Sequence, residues 1–156
     1  MRHVKLLIFA VLLAGAQLLS GQHVGDKAPD IHAVTIDGKS FNLYDVEAKH
    51  TIILFWSYTC PHCRDLIKEL GEFVNEHDDI EMVTVQVVGE LRKVKRVIRK
   101  NKLRKHFNIS DGLGWHSPII NDYDVNMTPT VLILDEDKKI VAEPFDIEDV
   151  ILFFEG

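Results

Sequence analysis

The sequence predicts an α/β fold: a mixed sheet flanked by helices on both faces, with an added N-terminal β-hairpin. Three observations predict it. Residues 51–56 (TIILFW) form an unbroken β-branched and aromatic run, as expected of a strand buried on both faces of a sheet. From residue 61 onward, Cys63, Leu66, Ile67, Leu70, Phe73 and Val74 recur at helical spacing, with Arg64, Asp65, Lys68, Glu69 and Glu72 between them. Residues 31–36 and 40–43 flank Asp37-Gly38-Lys39, a hairpin signal, because an Asp-Gly pair readily adopts the positive φ of tight turns.

The elements follow in order. Residues 22–30 hold Gly25 and Pro29 and read as an extended lead-in to the hairpin. Strand 51–56 runs to the cysteines, and the helix after them opens on Pro61, whose missing N–H costs nothing in a first turn. Residues 81–88 are a second buried strand. Residues 90–107 read as a second helix with a narrow apolar stripe of Leu91, Val94 and Val97/Ile98, and residues 108–118 as a loop dense in turn formers. Residues 130–134 (TVLIL) and 140–143 are strands joined by a charged turn, and residues 147–154 close the chain as a helix. Alternating strands and helices place a partly parallel sheet at the centre.

At 156 residues, 46% hydrophobic and 27% charged, the chain suits one globular domain and excludes disordered, collagenous and repeat classes. Eighteen basic against 24 acidic residues give a net charge of −6, so the chain as a whole lacks the cationic field that nucleic acid demands. Arg2 and Lys5 followed by the apolar run 6–16 have the form of a secretory signal, with small residues Ala14 and Ala16 offering a cleavage point. Residues 1–21 are therefore expected to be a signal peptide and 22–156 the folded domain. The rival is an uncleaved anchor through the uncharged residues 6–22, at the short limit for crossing a bilayer. Either way the protein is expected to be periplasmic or otherwise exported, where disulfide chemistry is possible. A lipoprotein is excluded, since the only cysteines are Cys60 and Cys63.

Cys60-Pro61-His62-Cys63 falls where a buried strand turns into a helix. Side chains three apart in a helical turn have Cβ atoms roughly 5–6 Å apart, so a disulfide can form and open with little backbone movement. At the helix N-terminus, unsatisfied N–H groups and the positive end of the dipole favour a thiolate on Cys60, and the imidazole of His62 adds to that. Cys60 is the expected attacking thiol. Cys63, on the apolar face with Leu66, Ile67 and Leu70, is the expected resolving thiol. Zinc would need further ligands, but His77, His106 and His116 are scattered and no second C-x-x-C exists; covalent haem would need His where Arg64 stands. A purely structural disulfide closing so small a loop would stabilise little. No metal and no bound cofactor are expected.

The segment Phe55-Trp56-Ser57-Tyr58-Thr59-Cys60-Pro61-His62-Cys63, with Met127-Thr128-Pro129-Thr130 and the strand after it, resembles the thioredoxin fold. More narrowly, Val24-Gly25-Asp26-Lys27-Ala28-Pro29-Asp30, Asp37-Gly38-Lys39 and the N-terminal pattern resemble the TlpA-like thiol–disulfide oxidoreductases of bacterial envelopes. The resemblance runs from about residue 24 to the end. It implies a thioredoxin-like mixed sheet, a cis Pro129 facing the cysteines, and a Thr128 backbone that pairs with an extended substrate segment. It also implies protein thiols and disulfides of the cell envelope as substrates and a membrane-bound redox partner that recycles the pair. Two positions depart from the pattern. Leu54 stands where many relatives carry a buried carboxylate that helps deprotonate the resolving thiol, which leaves only Asp65 and Glu69 nearby, both expected on a solvated face. The Pro61-His62 dipeptide resembles that of strongly oxidising enzymes, whereas the TlpA-like family is usually reducing. The alternatives are a reductant of apocytochrome or other envelope disulfides, and a redox-inert partner-binding module. Peroxidase activity is disfavoured, because the Thr and Pro that precede a peroxidatic cysteine are replaced by Ser57 and Ile53.

Four other features stand out. Residues 92–105 carry nine Lys or Arg and no acid, so the rest of the chain holds nine bases against 24 acids. The run reads either as a solvated helix face or as a docking surface for an acidic partner or an anionic membrane. Trp115 is expected to be a core anchor or, with His116, to line a substrate groove. Trp56 is expected to pack beneath the cysteines and, with Thr128 and Pro129, to take part in substrate binding. Asn108-Ile109-Ser110 and Asn126-Met127-Thr128 match the glycosylation pattern. The chain is expected to be a monomer.

Overall fold

The computed structural model of the protein describes residues 24–156. The expected signal or anchor, residues 1–21 or 6–22, lies outside them. Strands β1 (His32–Val34) and β2 (Ser40–Asn42) form the hairpin, a two-stranded antiparallel sheet of its own. Strands β3 (His50–Ser57), β4 (Ile80–Val88), β5 (Phe107–Ile109), β6 (Thr130–Leu134) and β7 (Ile140–Ala142) form a five-stranded sheet in the order β5-β4-β3-β6-β7. β3, β4 and β5 run parallel; β6 and β7 are antiparallel to their neighbours, so the sheet is mixed.

The continuous apolar runs are explained by two core layers. Along β3, Ile52, Leu54 and Trp56 point to one face, and Ile53 and Phe55 to the other. The first face is covered by α1 (Pro61–Asn75), α2 (Leu91–Lys100) and α4 (Ile147–Glu155), through Leu66, Ile67, Leu70, Val94, Ile98 and Val150. The second is covered by the hairpin and the short helix α3 (Pro118–Asp122), through Phe41, Leu43, Ile120 and the following Tyr123. Each such side chain taken fully out of water stabilises the fold by about 1.5–3 kcal/mol before chain entropy is counted. The sheet edges are blunted. Gly25 N–H donates to Ile140 O and Ile140 N–H to Asp26 O along β7, while Ile36 N–H donates to Asn108 O beside β5.

The fold differs from expectation between β4 and β6. The helix expected over 90–107 stops at Lys100, because Lys102 takes a left-handed conformation (φ 58°) and Leu103 turns back into the core. The basic run is therefore not one helix: six of its cations lie on α2, and Lys102, Arg104 and Lys105 lie beyond the break. Phe107–Ile109, expected as helix end and loop, is β5, paired in parallel with Val83–Val85; the rest of the expected loop holds a single 3-10 turn, Gly114–His116, and ends where α3 begins. Asn108 is buried, its amide donating to Leu103 O and His106 O, so it is no glycan acceptor in the fold. Trp115 is 42% exposed and is not a core anchor.

Candidate active site

Three segments of chain meet at the C-terminal end of β3. The pairing of β3 with β4 shifts register between Trp56 and Ser57, and the chain leaves the sheet with Tyr58 N–H donating to Val88 O at 2.7 Å. Gly89 makes this junction possible: its φ is +149°, and a Cβ there would stand 2.6 Å from Tyr58 Cβ, so a larger residue would push the segment away. The Ser57 and Thr59 hydroxyls hydrogen-bond at 2.9 Å, and Cys60 N–H closes a turn onto Ser57 O at 3.2 Å.

Cys60 is the N-cap of α1, in extended conformation (φ −87°, ψ 118°), with Pro61 in the first turn. Its Sγ accepts the Cys63 N–H at 3.2 Å, satisfying one of the amides that a helix start leaves open. The thiol of Cys60 is half-buried and lies 3.7 Å from Thr128 O, to which it donates. Thr128 precedes β6, and the Thr128–Pro129 peptide bond is cis. Because β3 and β6 are antiparallel and Phe55 pairs with Thr130, the end of one strand and the start of the other meet at the same place.

Cys63 is fully buried among Leu54, Trp56, Leu66 and Ile67. Burial, and then its hydrogen bond with Cys60, push its thiol up to about 11; hydrogen bonds from the Ser57 backbone and the Thr128 side chain act in the opposite direction. No carboxylate is among the groups that shift it. Leu54 is fully buried in the same layer, and Asp65 and Glu69 are exposed, lining a groove beside the pair. That groove, of about 470 Å³, is also bordered by His62, Thr128 and Pro129, and by Met127 and Phe145, which are 64% and 83% exposed.

The structure thus brings Cys60, Pro61, His62, Cys63, Thr128 and Pro129 together; Trp56 is fully buried in the layer beneath, its indole N–H unpartnered, so it supports the site and does not line the groove where a substrate was expected to meet it. His116 and Trp115 lie outside this groove. Sequence reasoning missed the Thr128 side chain as a partner of Cys63, Gly89 as the spacer under Tyr58, and Phe145 as a groove residue. A glycine directly after a buried strand was the one readable signal among these. Among the described residues, no group of three or more His, Cys, Asp or Glu gathers that could hold a metal ion.

Comparison with known proteins agrees with this geometry. Residues 24–143 match the model of the AhpC/TSA family. The thiol-disulfide oxidoreductase ResA of Bacillus cereus is 24% identical over 122 residues, 77% of this chain and 68% of that protein. The sporulation thiol-disulfide oxidoreductase A of Bacillus subtilis is 26% identical over 147 residues, 87% and 86% of the two chains. Among solved structures, a domain described as a possible thiol-disulfide isomerase from Cytophaga hutchinsonii superposes with a TM-score of 0.74 at 27% identity, covering 88% of this chain and 94% of that one. A thiol:disulfide interchange protein from a Bacteroides species gives 0.73 at 21% identity, over 87% and 90%. The chain belongs to the AhpC/TSA family, has the thioredoxin fold, and is by its relatives a thiol–disulfide oxidoreductase.

Proposed function

We propose that the protein exchanges disulfides with proteins of the cell envelope through Cys60 and Cys63, Cys60 attacking and Cys63 resolving. The observation that carries this is the asymmetry of the pair: Cys60 half-exposed at a helix N-terminus beside Thr128 O, Cys63 fully buried behind it. In the reducing direction the Cys60 thiolate attacks one sulfur of a partner disulfide. A bond forms between Cys60 and that sulfur, and the partner's other cysteine leaves as a thiolate and takes up a proton. Cys63 then gives up its proton to solvent, attacks Cys60 Sγ and closes the intramolecular disulfide, which releases the second partner thiol. Two electrons pass to the partner, and the reverse sequence donates a disulfide. The Thr128 backbone beside Cys60 would pair with the partner chain as an added strand. His62 and Pro61 set the poise of the couple. Residues 1–21 would direct export, or 6–22 anchor the chain, and a second redox protein of the membrane would recycle Cys60 and Cys63.

The test is a trap. Cys63→Ala is expected to accumulate mixed disulfides with envelope proteins through Cys60, and mass spectrometry would identify them. Absence of adducts, together with a Cys60→Ala variant unchanged in every thiol assay, would refute the reading.

A further inference from the structure

The basic run makes more than a solvated face. On α2, Arg92, Lys95, Arg96 and Arg99 share one side at helical spacing, and with Leu91 they line a groove of about 580 Å³. A second groove of about 230 Å³ continues between Lys95, Arg99 and Arg104 on one wall and Ile36 and Asp37 of the hairpin turn on the other. A third, of about 500 Å³, runs on from Leu91 past Ile36 to Val34 and Leu113. Together these make a trough between α2 and the hairpin, with a cationic wall and an apolar floor. Val34, Leu91 and Leu113 are 62%, 47% and 53% exposed there. Of the nine cations in residues 92–105, only Lys93 has an ion-pair partner among the described residues, Glu90. Among the described residues that line the three grooves, the carboxylates are Asp37 in the second and Asp111 in the third.

The trough is tied to the redox pair. Lys93 stands over the ring of Tyr58, 5.7 Å from its centroid, and Tyr58 is hydrogen-bonded to Val88, so α2 starts at the same end of the sheet as Cys60. A polypeptide lying along α2 therefore has one end at the edge of the sheet from which the Cys60 segment also leaves. A bilayer fits less well. Lys95, Arg99 and Arg104 face the hairpin turn across a narrow groove, and the chain enters the fold along Ile140 on β7, the sheet edge opposite β5.

We propose that this trough docks an acidic polypeptide segment studded with apolar residues, belonging to the protein with which Cys60 exchanges; the exchange itself rests on the function proposed above. The charge is complementary, the floor takes the apolar side chains, and the local positive field raises the encounter rate with a partner of opposite sign.

The experiment uses a fluorescent Glu-rich peptide with spaced Leu residues and one internal disulfide, its counterpart with Lys for every Glu, neutral hydroxyethyl disulfide, and phosphatidylglycerol vesicles. The Glu peptide is expected to raise fluorescence anisotropy on binding and to be reduced at least about tenfold faster than the Lys peptide at low salt, with the advantage fading as salt rises. The combined variant Arg92→Glu, Arg96→Glu, Arg99→Glu is expected to lose binding and the rate advantage while its rate with hydroxyethyl disulfide is unchanged. Leu91→Ser should weaken binding by itself. Equal treatment of the two peptides, or a combined variant that still binds the Glu peptide, overturns the proposal. So does wild-type binding to the vesicles but not to the peptide, which would assign the cations to lipid. Peptide binding without reduction of any disulfide would keep the docking and remove the exchange reading; reduction of hydroxyethyl disulfide without peptide preference would do the reverse.

Discussion

The N-termini of α1 and α4 meet the same physical need in opposite ways. At α4, Asp146 caps the helix by accepting Asp149 N–H at 3.0 Å, the Asp149 carboxylate accepts Phe145 N–H in return, and Glu148 and Asp149 put fixed negative charge in the first turn. At α1 the cap is a sulfur, the first turn carries no acid, and it holds a histidine instead. The two helix fields act on different things. In α4 the field is neutralised for good and serves stability. In α1 no fixed negative charge meets the field, and the capping atom is the sulfur that takes part in the proposed exchange.

Cys60→Ser is expected to have the largest effect. A serine caps a helix at least as well as a cysteine, so stability should hold or rise by up to about 1 kcal/mol while exchange falls to background. Urea denaturation beside a small-disulfide assay checks it, and a loss of stability comparable to the loss of activity would mean that the sulfur was mainly structural. A pH effect comes next. Burial keeps the Cys63 thiol above its ordinary value, so its thiolate is scarce at neutral pH and resolution of a Cys60 mixed disulfide should quicken by up to about tenfold per pH unit through the range above neutrality. A rate already flat above pH 8 would contradict the burial of that thiol. His62→Ala is expected to lower the reduction potential by up to about 30 mV, the equivalent of a tenfold change in equilibrium with glutathione, from a wild-type value above the roughly −270 mV of thioredoxin. An unmoved potential would leave the poise to the helix alone. The smallest effect sharpens the other side: Asp146→Ala should cost about 1 kcal/mol in thermal or urea unfolding through its lost cap.

How much of this was legible follows from where the determining contacts lie along the chain. The cysteine pair, its helix and β3 were readable because their signals are local: an apolar run, a proline in a first turn, apolar residues at helical spacing. β5 was not readable. It is three residues long, it follows a basic stretch whose periodicity has no glycine or proline to stop it, and the break at Lys102 is made by Leu103 entering the core. The cis Pro129 facing Cys60 came only from the family resemblance, since nothing in the bare sequence distinguishes it from a trans bond. The absence of a buried carboxylate near Cys63 was readable at Leu54, whereas the hydroxyl that approaches Cys63 from Thr128 was not.

The site's two halves differ in the sequence distance they span. Cys60 and Cys63 are three residues apart, while the Cys60–Thr128 contact joins residues 68 apart and β6 must insert between β3 and β7 to make it. Local contacts form early and distant strand pairings late, because the longer loop costs more entropy to close. During synthesis, the thiols are therefore complete as a reactive pair well before the strand that would select their partner is in place. A nascent chain is open to unselective oxidation in that interval, and because the sequence has no cysteine besides Cys60 and Cys63, the one internal disulfide it can close is that of the pair itself.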